Sequence, residues 1–393
     1  MSTLLIQFLS SLLPTKFPVF LRADLNIPLK NSQILDETRI EKIIPTVNAL
    51  LEKTDTVIIC THLGRPKIDD KDISFSTKVL AKILSQHLCR DVHFIENIPN
   101  YAEKIKDPGV YLLQNIRFYE GELNNDEIFA KLLLGPCQTY VNDAFSCSHR
   151  AHASIDAITR HAPAYGGLLL EDEIKNIHYV MNKPARPLTA IIGGSKVSTK
   201  IDVLKNIIQK VDHLIIGGAM ANTFLKAQNR FIGASLYEEN FLDFCRSLLI
   251  SDDQRKIILP TDFKVGLNLN DAYPELREKG ENFDGMILDF GPESIQKIKT
   301  ILSQSKTVLW NGPLGAYEYT PYGKGSVDVA HAITQRTKDS NLYSLIGGGD
   351  TVAVLNQNKL LNKVSFASTA GGAFLEFFEG KKLPGLEVLN FYK

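Results

Sequence analysis

The sequence predicts an α/β protein of two parallel-sheet domains joined by one connecting helix, with an open cleft between them. Three observations predict it. Short apolar runs alternate with polar or glycine loops and then amphipathic segments along the chain, the pattern of parallel βαβ units. At 393 residues the chain exceeds what one ordinary core fills. Near the middle, Pro163 to Gly167 breaks the alternation, and Leu168 to Met181 then reads as one helix before Pro184 and Pro187.

Taken in order, Val19-Phe20-Leu21 reads as a strand before Arg22-Ala23-Asp24-Leu25-Asn26, and Val57 to Cys60 as one before Thr61-His62-Leu63-Gly64-Arg65-Pro66. Val110 to Leu113 precedes Gln114-Asn115-Ile116-Arg117-Phe118, and Tyr140-Val141 precedes Asn142-Asp143-Ala144-Phe145. The second half repeats the unit at Ala190-Ile191-Ile192, Leu214-Ile215-Ile216, Thr307 to Trp310, Leu342 to Ile346, and Val364 to Ala367. In such sheets ligands bind beyond the carboxyl ends of the strands, where each of these polar loops lies.

The two halves place different chemistry there. The first offers Arg22, Arg39, His62, Arg65, Arg117, His149, Arg150 and His152. A guanidinium's planar fork suits phosphate and carboxylate, so the set fits a small, highly anionic ligand. Any one of these arginines alone reads better as an ordinary surface residue; their repeated placement at strand ends favours the site. The second half offers glycines: Gly193-Gly194, Gly217-Gly218, Gly347-Gly348-Gly349 and Gly371-Gly372. Glycine turns opening helices admit phosphate close to backbone N–H groups. After Gly347, Asp350 and Thr351 open a helix. A carboxylate there fits a phosphate site only with a cation such as Mg²⁺ between them; otherwise the stretch is a tight turn with an Asp cap. Lys196 and Lys200, four apart, share one face of a helix following Gly194, which reads either as phosphate-reaching or as solvated.

Composition narrows the function. Lys plus Arg equals Asp plus Glu at 44 each, so no bulk positive field argues for nucleic acid. Five scattered cysteines without a Cys-x-x-Cys pair fit a reducing compartment rather than a disulfide framework or structural zinc. The apolar Met1 to Leu13 lacks a basic leader and a cleavage site, and no run has the length of a membrane span. The expected location is therefore cytoplasmic. Asp289-Phe290-Gly291 imitates a protein-kinase metal motif, but no His-Arg-Asp loop or Gly-rich nucleotide loop precedes it. No P-loop and no dinucleotide fingerprint occurs, which weakens a dehydrogenase reading. His149 and His152 have a spacing common by chance, and Cys147 lacks the base and orienter a nucleophile needs.

The ordered motifs resemble those of the phosphoglycerate kinase family over essentially the whole chain. They are Arg22-Ala23-Asp24-Leu25-Asn26-Ile27-Pro28, Thr61-His62-Leu63-Gly64-Arg65-Pro66, Gln114-Asn115-Ile116-Arg117-Phe118, and Val141-Asn142-Asp143-Ala144-Phe145 with His149-Arg150-Ala151-His152-Ala153-Ser154. Gly193-Gly194-Ser195-Lys196-Val197-Ser198, Trp310-Asn311-Gly312-Pro313, Gly347-Gly348-Gly349-Asp350-Thr351 and Ser368-Thr369-Ala370-Gly371-Gly372 complete them. The resemblance implies two Rossmann-like doubly wound domains: 1–165 for phosphoglycerate, a hinge helix 166–183, 184–378 for nucleotide, and a tail 379–393 returning to the first domain. It implies reversible, Mg²⁺-dependent transfer from ATP to 3-phosphoglycerate, giving 1,3-bisphosphoglycerate and ADP, with domain closure and a monomeric state, and no nucleic-acid or membrane partner.

By motif match, Asp24, Asn26, Arg39, His62, Arg65, Arg117 and Arg150 would hold phosphoglycerate. Gly194, Lys196, Lys200, the Ala219 carbonyl, Asn311, Glu318 and Gly347, Gly348, Gly349, Asp350 and Thr351 would hold the nucleotide, with Asp350 toward the metal. Arg39, Lys196, Gly371 and Gly372 would steady the phosphoryl group in flight. Gln114 stands where the family usually has Glu, Ser146-Cys147-Ser148 where Gly-Thr-Ala is common, and Ala219 and Ala370 where glycine is usual. Either alanine would be strained if its position required positive φ. On this resemblance the substrate's own carboxylate would be the nucleophile, ionised at neutral pH, so no general base would be required. The rival is a catalytically silent nucleotide-binding scaffold of the same fold. Loss of Lys196, Arg39 or Asp350 would favour it, and all three are present.

Overall fold

The computed structural model describes residues 6–30, 33–67 and 73–392. It divides into two compact units, one running to Lys175 and including Lys382 onward, the other Asn176–Lys381.

In the first unit the chain supplies β1 (Val19–Ala23), the short antiparallel pair β2 (Leu29–Lys30) and β3 (Gln33–Ile34), then β4 (Thr56–Cys60), β5 (Val92–Ile95), β6 (Gly109–Leu113), β7 (Thr139–Asp143) and β8 (Ala164–Gly166). Six of them form one parallel sheet in the order β5-β6-β4-β1-β7-β8. The strands read as continuous apolar runs because both faces are covered. Val19, Leu21, Val57 and Ile59 join a core on one face, while Phe20, Ile58 and Tyr140 join the core on the other. Helix Thr38–Leu51 buries Ile40, Ile43, Val47 and Leu50, a spacing of three and four that keeps one face on the sheet. Pro163 to Gly167, expected to break the pattern, instead contains edge strand β8, and Pro163 contributes only its carbonyl, to Tyr140 N–H at 3.0 Å. Proline is tolerated at a strand start on an edge. The last turns of the chain pack here too, Gly385 donating to the Ser148 carbonyl at 2.9 Å.

The second unit contains β9 (Leu188–Ile192), β10 (His213–Ile216), β11 (Ile257–Ile258), β12 (Asp262–Gly266), β13 (Glu275–Glu278), β14 (Met286–Phe290), β15 (Thr307–Asn311), β16 (Tyr343–Gly347) and β17 (Phe366–Ala367). Its parallel sheet runs β11-β10-β9-β15-β16-β17. A separate antiparallel sheet, β13-β12-β14, was outside the sequence reading. Its strands are partly solvated, and its core is small: Phe263, Val265 and Phe283 with Leu225 and Ile232. Asp289, the kinase-motif decoy, is structural. It lies in β14 with Lys264 Nζ at 3.2 Å and Gly325 N–H at 2.9 Å, and burial raises its carboxyl to about 6 despite the lysine.

Helix Leu168–Asn182 extends one residue beyond the expected span. Its first turn is anchored by Asp143 at the end of β7, whose Oδ1 accepts from Leu170 N–H at 2.8 Å. No helix among the described residues is long and apolar enough to cross a membrane.

Candidate functional site

At the carboxyl ends of β1, β4, β6 and β7, the first unit gathers cations around one imidazole. His62 follows β4 and is 4% exposed. Burial, then the positive charges of Arg22, Arg117, Arg39 and Arg150, hold its pKa well below the usual histidine value, so the ring is neutral at working pH. The four guanidiniums thus surround it. Arg39 comes from the first turn of helix Thr38–Leu51 and pairs with Asp24, which follows β1 and also accepts from the Ser146 hydroxyl. Asp24 Oδ1 accepts from Asn26 N–H at 3.3 Å, and Asn26 Oδ1 accepts from Gly64 N–H at 2.8 Å, so one carboxylate ties three loops together. Arg117 donates to the Gly64 carbonyl at 2.5 Å, and Arg150 Nε donates to His149 Nε2 at 3.1 Å.

Crowding of like charge has a measurable signature. Burial, with Arg150 and Arg22 adding repulsion, lowers Arg117 to about 10. Burial followed by Arg150 and Arg22 drops His152 to about 4. A site that disfavours its own positive charges is prepared for an anion. Arg65 is exposed in the loop after Gly64 and is not among the charges acting on His62. Asp24, His62 and Cys147 have ligand atoms within 4.8 Å of one another, yet Arg22 Nη2 lies 3.3 Å from His62 Nδ1 and 3.7 Å from Cys147 Sγ. A guanidinium holding those lone pairs opposes a cation there. The thiol is also pushed up by burial, contrary to a nucleophile.

The site of the second unit is mostly backbone. β16 ends at Gly347, and Gly348, at φ +89°, caps helix Gly349–Gln357 without a side-chain bond. Asp350 is therefore in the first turn rather than the cap, leaving the first N–H groups of the helix for a ligand. Thr351 is buried, its hydroxyl accepting from Gly312 N–H at 2.6 Å, which ties this turn to the loop after β15. Lys200 donates to Asn311 Oδ1 and to its carbonyl at 3.3 Å. Burial lowers Lys200 to about 8, with Asp350 opposing that shift. Asn311 Nδ2 is buried with no partner. Lys196 and Lys200 do not share a helix face: residues 195–200 form a loop, Lys200 is only the cap of helix Ile201–Ile208, and Lys196 is exposed. The family-atypical alanines are unstrained. Ala219 has φ −63° as a helix cap, and Ala370 is not among the positive-φ residues; the left-handed conformation falls on Gly371, at φ +54°, just before helix Gly372–Phe378.

A pocket of about 360 Å³ adjoins this edge. Gly194, Ala219, Glu318 and Asp350 line it. So do Leu236, Leu269, Met286, Leu288, Leu314 and Tyr319, an apolar wall that sequence reasoning missed. Two of these lie on β14 and one shortly after β12, in the sheet whose short strands gave no periodic signal. Arg22 belonged to the basic set expected to meet an anion but not to the residues matched to phosphoglycerate; its side chain, 1% exposed, reaches His62 Nδ1 at 3.3 Å.

A family model described as phosphoglycerate kinase matches residues 14–381. Phosphoglycerate kinase of Methylorubrum extorquens is 44% identical over 390 residues, covering 95% of each chain. That of Sinorhizobium medicae is 42% identical over 385 residues, with the same coverage. The solved structure of phosphoglycerate kinase from Coxiella burnetii superposes with a TM-score of 0.89 at 37% identity, covering 98% of this chain and 99% of that one. The enzyme from Pyrococcus horikoshii gives 0.81 at 29% identity, with the same coverage.

Proposed function

The chain belongs to the phosphoglycerate kinase family and is a kinase of that activity, and we propose that the basic cluster around His62 holds 3-phosphoglycerate while the glycine edge around Gly348 holds ATP or ADP. The observation that carries this assignment is the set of four guanidiniums acting on one buried neutral imidazole, a concentration of charge that an anionic acceptor relieves. Arg22, Arg39, Arg117 and Arg150 supply the charge, Asn26 and Asp24 fix the loops, and Arg65 would join them on binding from its exposed loop. The nucleotide's phosphates take the N–H groups at the start of helix Gly349–Gln357 and the ammonium of Lys200, and its base takes the apolar pocket beside Ala219 and Leu314.

The acceptor carboxylate attacks the γ-phosphorus, and the bond to the β-bridging oxygen breaks. The carboxylate is already ionised, so this chain needs no base and supplies position and charge. Arg39, Lys196 and the N–H groups of Gly371 and Gly372 steady the moving phosphoryl group. Mg²⁺ fits the exposed oxygen-only ligand Asp350, and when bound it neutralises nucleotide phosphate charge. We place the enzyme in the cytoplasm as a monomer, with the two units closing for transfer.

The test is ATP- and Mg²⁺-dependent phosphorylation of 3-phosphoglycerate, coupled to consumption of the acyl phosphate. Turnover is expected, and it is expected to fail without Mg²⁺. A chain that binds both ligands yet turns neither over would overturn the assignment in favour of a silent scaffold.

A further inference from the structure

Glu122 and Ser154 are completely buried beside the basic cluster, and the transfer reaction as assigned gives neither a task. Burial pushes the Glu122 carboxyl up, while Arg22 and two bonds from Ser154 favour its ionised form; it accepts from the Ser154 hydroxyl at 2.7 Å and from the Ser154 backbone N–H at 2.8 Å. While donating that hydrogen bond, the Ser154 hydroxyl accepts from Arg22 Nε–H at 2.8 Å. The direction is fixed at the arginine end, because a guanidinium has no lone pair, and the Ser154 backbone N–H holds the carboxyl as an acceptor at the other. Arg22 then spends its far end on the Ala23 carbonyl at 2.5 Å and on His62 Nδ1 at 3.3 Å. Since Arg22 cannot accept, His62 Nδ1 must. Cys147 Sγ, 3.7 Å from the same nitrogen, offers a second donor to it. A neutral ring whose Nδ1 accepts carries its proton on Nε2.

We propose that Glu122 is a positioning residue: through the Ser154 hydroxyl and Arg22 it sets His62 as a neutral ring protonated at Nε2, a hydrogen-bond donor to the acceptor's phosphate rather than one more cation. The proposal rests on the reading that the cluster binds 3-phosphoglycerate. Its logic is electrostatic. With four guanidiniums already acting on the ring, a further positive charge adds repulsion before substrate arrives, whereas an oriented neutral N–H adds directionality alone. The same chain places one buried carboxyl, Glu122, within electrostatic reach of the buried guanidinium of Arg22. Cutting it leaves Arg22 without its counter-charge and His62 without the partner that selects its tautomer.

The ring's state is readable directly. In the ¹⁵N-labelled full-length enzyme at about pH 7, where an ordinary imidazole is mostly neutral, His62 should show an acceptor-type Nδ1 and a protonated Nε2. A ring protonated at Nδ1, or doubly protonated, overturns the proposal, and this measurement needs no variant. Ser154→Ala, which removes the hydroxyl but keeps the carboxylate, should mix the tautomers. It should raise KM for 3-phosphoglycerate about tenfold while leaving kcat and KM for ATP within about twofold. Glu122→Gln should move the same quantities in the same direction, and Ser154→Thr should restore them. Folded Ser154→Ala and Glu122→Gln enzymes with the wild-type tautomer and KM would overturn the positioning role. If neither variant folds, the wild-type spectrum decides. Addition of 3-phosphoglycerate separates the two levels: no perturbation of an Nε2-protonated His62 overturns the acceptor-site reading, whereas perturbation of a ring in the wrong tautomer overturns the positioning chain alone.

Discussion

In the first unit the groups prepared for an anion are side chains, four guanidiniums and an imidazole held by neighbours such as Asp24, Ser154 and Gly64. In the second they are largely peptide N–H groups at a helix start opened by Gly348, with one buried lysine and one exposed carboxylate. Both sit beyond the carboxyl ends of a parallel sheet, so the difference is one of materials. Side-chain cations must be gathered and partly dehydrated, and the lowered pKa of Arg117 and His62 records that cost. Backbone donors carry no net charge to bury, but they demand special φ values. The first kind of site should resist change of backbone and be sensitive to charge; the second should show the reverse.

The largest effect is expected where neither rule applies, at the exposed Lys196, whose proposed task is charge in the transition state alone. Lys196→Ala should lower kcat by about 10²–10³ while both KM values stay within a few-fold, the loss typical of removing one preorganised charge. Equal losses in affinity with turnover intact would remove Lys196 from the transfer step and leave both sites as binding devices only.

Gly348→Ala comes next. The residue sits at φ +89°, and an added Cβ would lie 2.7 Å from Asn311 Nδ2. Left-handed backbone costs a residue with a Cβ about 1–2 kcal/mol, so denaturant titration should show at least that loss together with a raised KM for ATP. Unchanged stability would mean that the turn relaxes without strain. Arg117→Met makes the contrast. It removes a charge that burial and Arg150 disfavour, so the unliganded melting temperature should not fall, while the stabilisation given by saturating 3-phosphoglycerate should shrink. A lower unliganded melting temperature would show that the bond to Gly64 outweighs the repulsion.

How much of this was legible in sequence follows the same division of materials. The arginines and the strands were legible because type and period both speak at short range: Val57, Ile58 and Ile59 are apolar on two covered faces, and Arg117 is basic wherever it points. The placement of Lys196 and Lys200 on one helix face was a misreading, because the loop between Gly194 and Ile201 is set by tertiary bonds, Met220 N–H to the Gly194 carbonyl among them. The apolar wall of the pocket beside Gly194 and Asp350 was missed because Leu269 and Leu288 belong to an antiparallel insertion whose short, half-solvated strands carry no clear alternation. Arg22 was legible as one of the basic set, but its bond to Ser154 was not, because that partner lies 132 residues away.

A smaller effect tests the one titrating cation of the backbone site. Burial holds Lys200 near 8, below the usual lysine value, so the ammonium is lost as pH rises through that range and is fully present well below it. KM for ATP should therefore rise above about pH 8, and less steeply if bound phosphates lift the pKa. Lys200→Arg should flatten that rise, since a guanidinium stays charged across it. A flat wild-type profile would show that the peptide N–H groups carry phosphate binding without the lysine.

The smallest effect is expected at Ala370, where the family usually has glycine. If a backbone site needs special φ values, then a side chain should be harmless wherever φ is ordinary. Ala370 is 2% exposed, is not among the positive-φ residues, and donates its N–H to the Ser368 hydroxyl at 3.1 Å, while the neighbouring Gly371 takes the left-handed turn at φ +54°. Ala370→Gly should therefore gain no activity. It should lose roughly 0.4–1 kcal/mol of stability, because glycine widens the unfolded ensemble without relieving any strain. Turnover should stay within about twofold, since the N–H groups of Gly371 and Gly372 keep their positions. Gly371→Ala, one residue on, should behave oppositely, losing turnover and stability together. Should Ala370→Gly instead raise turnover severalfold, the departure from glycine would be a real restraint on this enzyme, and ordinary φ would not be sufficient to make a side chain innocuous beside a moving phosphoryl group.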